Sequence, residues 1–145
     1  MKIFILEYFL SKSSFNNQQC SFYNEAVNIF QSIIKSTLKT KDMKIYSCLN
    51  KSFSNTFDNK MKSTININYS QSDFNSLAEY YSFIESLTLD NLDYFLIIAP
   101  ETDNILYQLT KILENKGIKN LGSSSTSIKK TANKWLLKKT LLKVT

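Results

Sequence analysis

The chain has 145 residues, 43% of them apolar, and a formal charge of +6, which is enough for one domain with a real core and too short for two. It contains no His and no Arg, which excludes imidazole catalysis, His-ligated metals and guanidinium clamps from this stretch. No apolar run of about 18 residues is present to form a spanning helix, and Cys20 and Cys48 have neither metal spacing nor a CxxC partner, so they read as free thiols of a reducing cytoplasm.

The charge is unevenly spread. Residues 111–145 carry nine lysines and one acid, Glu114, whereas residues 1–110 carry nine lysines against eleven acids. Lys, Asn, Ile, Phe and Tyr are abundant while Arg, Pro and Gly are scarce, the pattern of an AT-rich genome. Part of the basicity therefore reflects base composition rather than a polyanionic partner.

Residues 2–10 read as a strand, and the continuous run Ile3-Phe4-Ile5-Leu6 suits one covered on both faces. Glu7 inside that run, with no small-residue cleavage site directly after it, argues against a signal peptide. A polar loop follows over residues 11–19. Phe22, Ala26, Ile29, Phe30, Ile33 and Ile34 then recur at helical spacing as far as Lys39. Residues 44–49 form a second strand, and residues 50–62 read as polar and irregular. Residues 64–69 alternate through Ile65, Ile67 and Tyr69, as a half-exposed edge strand does. Ser72 or Asp73 caps a helix whose inner face is Phe74, Leu77, Tyr81 and Ile84. Residues 93–99 are the clearest strand, ended by Pro100. Thr102 or Asp103 caps the next helix, which turns Ile105, Leu106, Leu109, Ile112 and Leu113 inward and stops at Gly117. A short fifth strand over residues 118–121 runs into a serine-rich turn and a last helix.

Strands alternating with helices predict an α/β fold, a small parallel five-stranded sheet with right-handed crossovers and helices on both faces. Ligands of such sheets sit beyond the carboxyl ends of the strands, where Glu7-Tyr8, Pro100-Glu101 and Ser123–Ser127 fall. There is no GxGxxG and both glycines lie late in the chain, so an ordinary dinucleotide site is not expected. Glu7 ends an apolar strand and needs a partner or water; it is a candidate substrate-binding carboxylate, or a solvated loop acid. Glu101 is a second candidate for that role, and also reads as a first-turn acid favoured by the helix dipole. Ser123 and Ser124 sit where backbone N–H groups can bind phosphate, or where serine simply caps the helix. The last helix carries Ile128, Ala132, Trp135 and Leu142 on one face and Leu137, Leu141 and Val144 on roughly the opposite one, beside a Lys130, Lys134, Lys138 stripe. The second face calls for a partner, either a further domain or a second copy.

These residues carry a resemblance. Leu121-Gly122-Ser123-Ser124, followed after six residues by Thr131-Ala132-Asn133-Lys134 and then the leucine- and lysine-rich close, resembles the opening of an ATP-grasp ligase. Residues 98–112, with the Leu6-Glu7-Tyr8 strand end, are similar to archaeal tyramine–glutamate ligases of methanofuran biosynthesis. The similarity covers most of residues 93–145 and, less closely, residues 1–10; it says little about residues 12–91. It implies that residues 1–122 are a Rossmann-like preATP-grasp domain and that residues 123–145 lead into an ATP-grasp domain beyond this chain. It implies that Lys134 matches the family's helix lysine, which contacts ATP phosphates as a point charge, although Asn133 stands where the family often has Asp. It also implies ATP and Mg²⁺ as cofactors, with the metal-binding carboxylates downstream, an acyl-phosphate mechanism, a small-molecule amine and carboxylate as substrates, and no catalytic residue in this chain, which is then inactive alone. A cytoplasmic location with neither membrane nor nucleic-acid partner accompanies that reading. A different class is a stand-alone Rossmann-like binding module using the basic helix 128–143, with Trp135, for a polyanion or partner protein. A receiver-like or flavodoxin-like domain fits the alternation, but only Glu7 is available for its acidic pocket.

Overall fold

The computed structural model describes residues 1–12, 20–40, 42–70 and 73–132, together with Lys138 and Leu142. β1 (Lys2–Glu7) alternates its side chains between two cores. Ile3 and Ile5 join the cluster beneath α2 (Cys20–Thr37), while Phe4 and Leu6 join the cluster beneath α4 (Leu77–Ser86) and α5 (Ile105–Asn115). A strand with apolar layers on both sides needs no polar face, which is why its sequence is nearly continuous in Ile, Phe and Leu.

β2 (Lys44–Asn50), β3 (Ile65–Ser70), β4 (Tyr94–Ile98) and β5 (Lys119–Asn120) complete an all-parallel sheet in the order β3-β2-β1-β4-β5. Ile5 lies opposite Ser47 on one side and Leu96 on the other. The buried Ser47 hydroxyl is satisfied by donating to the Ile5 carbonyl at 2.7 Å, as a polar group in such a sheet must be. The chain steps outward from β1 to β3, then crosses back to β4. The gap between the carboxyl ends of β1 and β4 is therefore the topological switch point, where such sheets hold ligands. The expected α/β class, the five parallel strands, the β3 edge and the helices on both faces are all present. Among the described residues no helix is long and apolar enough to cross a membrane.

Several elements differ from the sequence expectation for identifiable reasons. β1 ends at Glu7 rather than residue 10, because the Glu7 carboxylate accepts the Leu10 N–H at 2.7 Å and a bond from the Phe9 backbone, and so opens α1 (Tyr8–Lys12). α2 is rotated from its expected face. Tyr23, Ala26, Phe30 and Ile34 are buried, whereas Phe22 and Ile29 are 61% and 37% exposed. The polar stretch 50–62 conceals a 3-10 turn (Lys51–Asn55) and α3 (Asn59–Thr64), whose cap is the Asp58 carboxylate accepting from the Met61 N–H at 2.7 Å. Phe53, Phe57 and Met61 enter the α2 core at four-residue spacing; the serines and asparagines between them dilute the signal.

The cap of α4 is Ser76, whose hydroxyl accepts from the Glu79 N–H at 3.1 Å. Asp73 instead accepts from the Asn50 side chain at 3.2 Å, and Ser72 lies outside the described residues. Tyr80 joins Ile84 in the interior, with Phe74, Leu77 and Tyr81 at its margin. Neither Thr102 nor Asp103 caps α5: Thr102–Asn104 form a 3-10 turn, and Asp103 and Asn104 take left-handed φ values of 54° and 56° without a side-chain cap. Thr110 is buried in α5, while Leu106 and Ile112 are half-buried. Gly117 does stand just past the end of α5, at φ +77°, donating to the Glu114 carbonyl at 2.9 Å. The fifth strand contracts to two residues.

Candidate ligand crevice at the carboxyl ends of β1 and β4

Glu7 is the last residue of β1 and pairs in register with Ile98, the last of β4. It is only 2% exposed. Burial pushes its pKa up from 4.5 to about 7, against the opposing pull of the Leu10 and Phe9 amides. A charge held out of water with two amide partners is incompletely compensated, so this carboxyl changes its proton occupancy close to neutrality.

Beside it opens a cleft of about 160 Å³, lined by Glu7 and Phe9, by Phe22, Glu25 and Ile29 of α2, and by Ala99 after β4. The rings of Phe9 and Phe22 stack, with centroids 6.2 Å apart and planes 24° from parallel. Glu25 is exposed on α2, three residues from Phe22 and so on the same side of the helix. Sequence reasoning had singled out Glu7 and missed Phe9, Phe22 and Glu25. Phe9 was assigned to the strand, and Phe22 shares its helical period with true core positions; only its exposure sets it apart.

On the other side of β1 the aromatic side chains serve the core. Tyr8 packs edge-on against Tyr80, with ring centroids 5.6 Å apart. The Tyr80 hydroxyl bonds to Ser11 Oγ, which in turn donates to the Tyr8 carbonyl at 3.1 Å. Burial, reinforced by the neighbouring Tyr81 and Asp103, pushes Tyr8 up to about 12. The Tyr81 hydroxyl is shielded from solvent and has no hydrogen-bond partner among the described residues.

Glu101 lies elsewhere. It is exposed and lines a separate cleft of about 140 Å³ with Thr110, Asn120, Gly122, Ser123 and Thr131. The structure thus brings Glu101 together with Ser123 and places Glu7 in a different cleft. Asn120 shapes the serine turn: its side chain accepts from the Gly122 N–H at 2.7 Å and donates to the Ser123 carbonyl at 2.8 Å. Ser124 Oγ accepts from the Ser127 N–H at 3.2 Å at the start of α6 (Ser125–Ala132). The Ser125 N–H donates to the Glu114 carboxylate at 3.1 Å, and the Ser125 hydroxyl donates to the same group. Ser124 thus caps α6, and a phosphate at this helix start would compete with Glu114 for the Ser125 amide.

Lys134 lies outside the described residues, as do Asn133, Trp135, Leu137, Leu141 and Val144. Ile128 is buried as expected, but Ala132 is exposed and Leu142 is 65% exposed rather than on the inner face. Among the described residues no three His, Cys, Asp or Glu side chains are grouped to hold a metal ion.

A parallel sheet wound both ways from β1, with an open crevice at its carboxyl edge, defines a Rossmann-like α/β domain. The pre ATP-grasp 3 domain family matches residues 43–128, and the chain belongs to that family. It is 54% identical over 50 residues to a tyramine–L-glutamate ligase of Methanocaldococcus jannaschii, a match covering 34% of this chain and 16% of that protein. It is 55% identical over 47 residues to the ligase of the same name from Methanocaldococcus fervens, covering 32% of this chain and 16% of the relative. The matched part is therefore a small fraction of either relative's length. A short-chain dehydrogenase/reductase of the wide type from Veillonella parvula, solved with NADP, aligns with a TM-score of 0.48 and 14% identity over 82% of this chain and 45% of its own, too loose a likeness to carry a functional reading.

Proposed function

We propose that this chain is the N-terminal, Rossmann-like part of an ATP-dependent carboxylate–amine ligase, and that the ligase joins glutamate to tyramine. Membership of the preATP-grasp family, together with relatives of that name at 54% and 55% identity, carries the reading. In such a reaction ATP phosphorylates a carboxylate, giving an acyl phosphate and ADP. The amine then attacks the acyl carbon and inorganic phosphate leaves. Both steps move charge onto phosphoryl oxygens that need cationic partners.

In this reading residues 1–122 form the preATP-grasp domain and residues 123–145 lead into the ATP-grasp domain. Lys134 contacts ATP phosphates, with Ser123 and Ser124 nearby and Glu101 at the same edge. ATP and Mg²⁺ are held mainly by the downstream domain, which, or else a second copy of this chain, covers Leu137, Leu141 and Val144. The protein works in the cytoplasm, and the 145 residues alone catalyse nothing.

The test joins this chain to the portion of the M. jannaschii ligase beyond the matched region and assays ADP and the glutamyl–tyramine amide by mass spectrometry. Product from the joined protein, and none from this chain alone, is the expected outcome. Absence of ADP and amide from the joined protein, under conditions where the intact M. jannaschii ligase forms both, would refute it.

A further inference from the structure

We propose that the cleft between α1, α2 and the end of β4 binds a small organic ammonium with a flat apolar body, the ring lying against Phe9 and Phe22 and the ammonium meeting the carboxylates of Glu25 and Glu7. Identifying that ligand with the amine substrate rests on the ligase reading above; the binding itself does not.

The chemistry of the walls selects this ligand. Among the described residues no lysine lines this cleft, and its ionisable groups there are the two carboxylates. Such a cleft repels glutamate and phosphate and attracts cations. Phe22 and Ile29 face solvent at the very edge where the sheet's switch point lies. A single exposed apolar side chain needs no explanation, but these two share one concavity with Phe9 and Ala99, and the Phe22 ring is already stacked on Phe9. An aromatic wall accepts both a ligand ring, by stacking, and a cation, through the ring quadrupole. The cleft, at about 160 Å³, is smaller than the roughly 300 Å³ at which drug-sized sites begin, so the ligand is a ring with a short arm. Glu25 is the solvent-facing carboxylate available for direct contact. Glu7 has a second task, holding the α1 turn that carries Phe9. A cation seated beside Glu7 favours its ionised form, so binding near neutral pH releases protons, which gives an independent readout.

The experiment titrates the ¹⁵N-labelled chain with millimolar tyramine, with an ethylphenol that keeps the ring and lacks the amine, with butylamine that keeps the amine and lacks the ring, and with glutamate. Tyramine is expected to shift the amides of Phe22, Glu25, Ile29 and Ala99, each half-ligand to shift them less, and glutamate to leave them in place. Glu25→Gln and Phe22→Ala are each expected to weaken tyramine about fivefold, the effect of losing one partly solvated ion pair or one stacking face. Both side chains are exposed, so the fold does not depend on them, and the same spectra report it. No tyramine shift at these amides, or unchanged affinity in both variants, overturns the proposal. The ligase reading is judged separately. If the joined protein forms amide with an unaltered KM for tyramine in both variants, the cleft assignment falls and the ligase reading stands. If tyramine seats in the cleft and no amide forms, the opposite holds.

Discussion

Replacing Glu7 with Gln is predicted to flatten the chain's stability over the mildly acidic range. The folded protein holds this carboxyl at about 7 against an ordinary value of 4.5, chiefly through burial. Below the ordinary value the group is protonated in both states and carries no penalty. As pH rises from there, the unfolded chain gives up the proton while the folded chain keeps it, so stability falls until the folded group ionises as well. The interval corresponds to about 3 kcal/mol, an upper limit for what the native state loses. Gln is neutral throughout and keeps a carbonyl oxygen for the Leu10 N–H, the bond that starts α1. Wild type and variant should therefore be nearly equal at about pH 4, with the variant ahead by about 2–3 kcal/mol at about pH 8. Urea unfolding followed by circular dichroism reads this directly, since a slope of about 1–3 kcal/mol per molar turns it into a midpoint difference of about 0.7–3 M. Every other ionisable group is common to the two proteins, so the difference between them isolates Glu7. Parallel curves across the range, or a wild type that gains on the variant as pH rises, would show that burial does not govern this group.

Three substitutions around α1 and α4 should separate satisfied from unsatisfied hydroxyls. Ser11→Ala strands the fully buried Tyr80 hydroxyl and should cost about 1–3 kcal/mol, whereas Tyr80→Phe leaves Ser11 bonded to the Tyr8 carbonyl and should cost about 1 kcal/mol. Tyr81→Phe removes a hydroxyl with no partner among the described residues and should leave urea stability unchanged or raised; a larger loss than for Tyr80→Phe contradicts this. At the end of α5, Gly117 has φ +77° with open space where a Cβ would stand, so Gly117→Ala should lower the melting temperature through about 1–2 kcal/mol of backbone strain, with Gly117→Asn milder. Equal losses for Ala and Asn would point to crowding instead.

The sheet was legible because each of its longer strands carries a physical marker. β1 and β4 read as uninterrupted apolar runs since both faces are covered, and β3 alternates since it is the edge. Gly117 was legible for the same kind of reason: a helix ending in a left-handed residue favours one without a Cβ. What failed was the choice of face. Composition and period place Phe22 and Ile29 on the same stripe as Ala26 and Phe30, and nothing in the string says that the stripe is wider than the surface it covers. β1 stops at Glu7, whose carboxylate accepts from the Leu10 and Phe9 backbone amides and opens α1 instead of continuing the strand. The end of the strand, the exposed Phe22 and Glu25 line one cleft. The helical period predicts burial for Phe22, whereas its ring rests on Phe9 of α1 at the surface. An apolar face that folding leaves open at the switch point, with only carboxylates for charge among the described residues, is poorly explained by stability, since exposing large apolar side chains forfeits burial energy. Recognition of a cationic, ring-bearing ligand accounts for the open face and the choice of charge together.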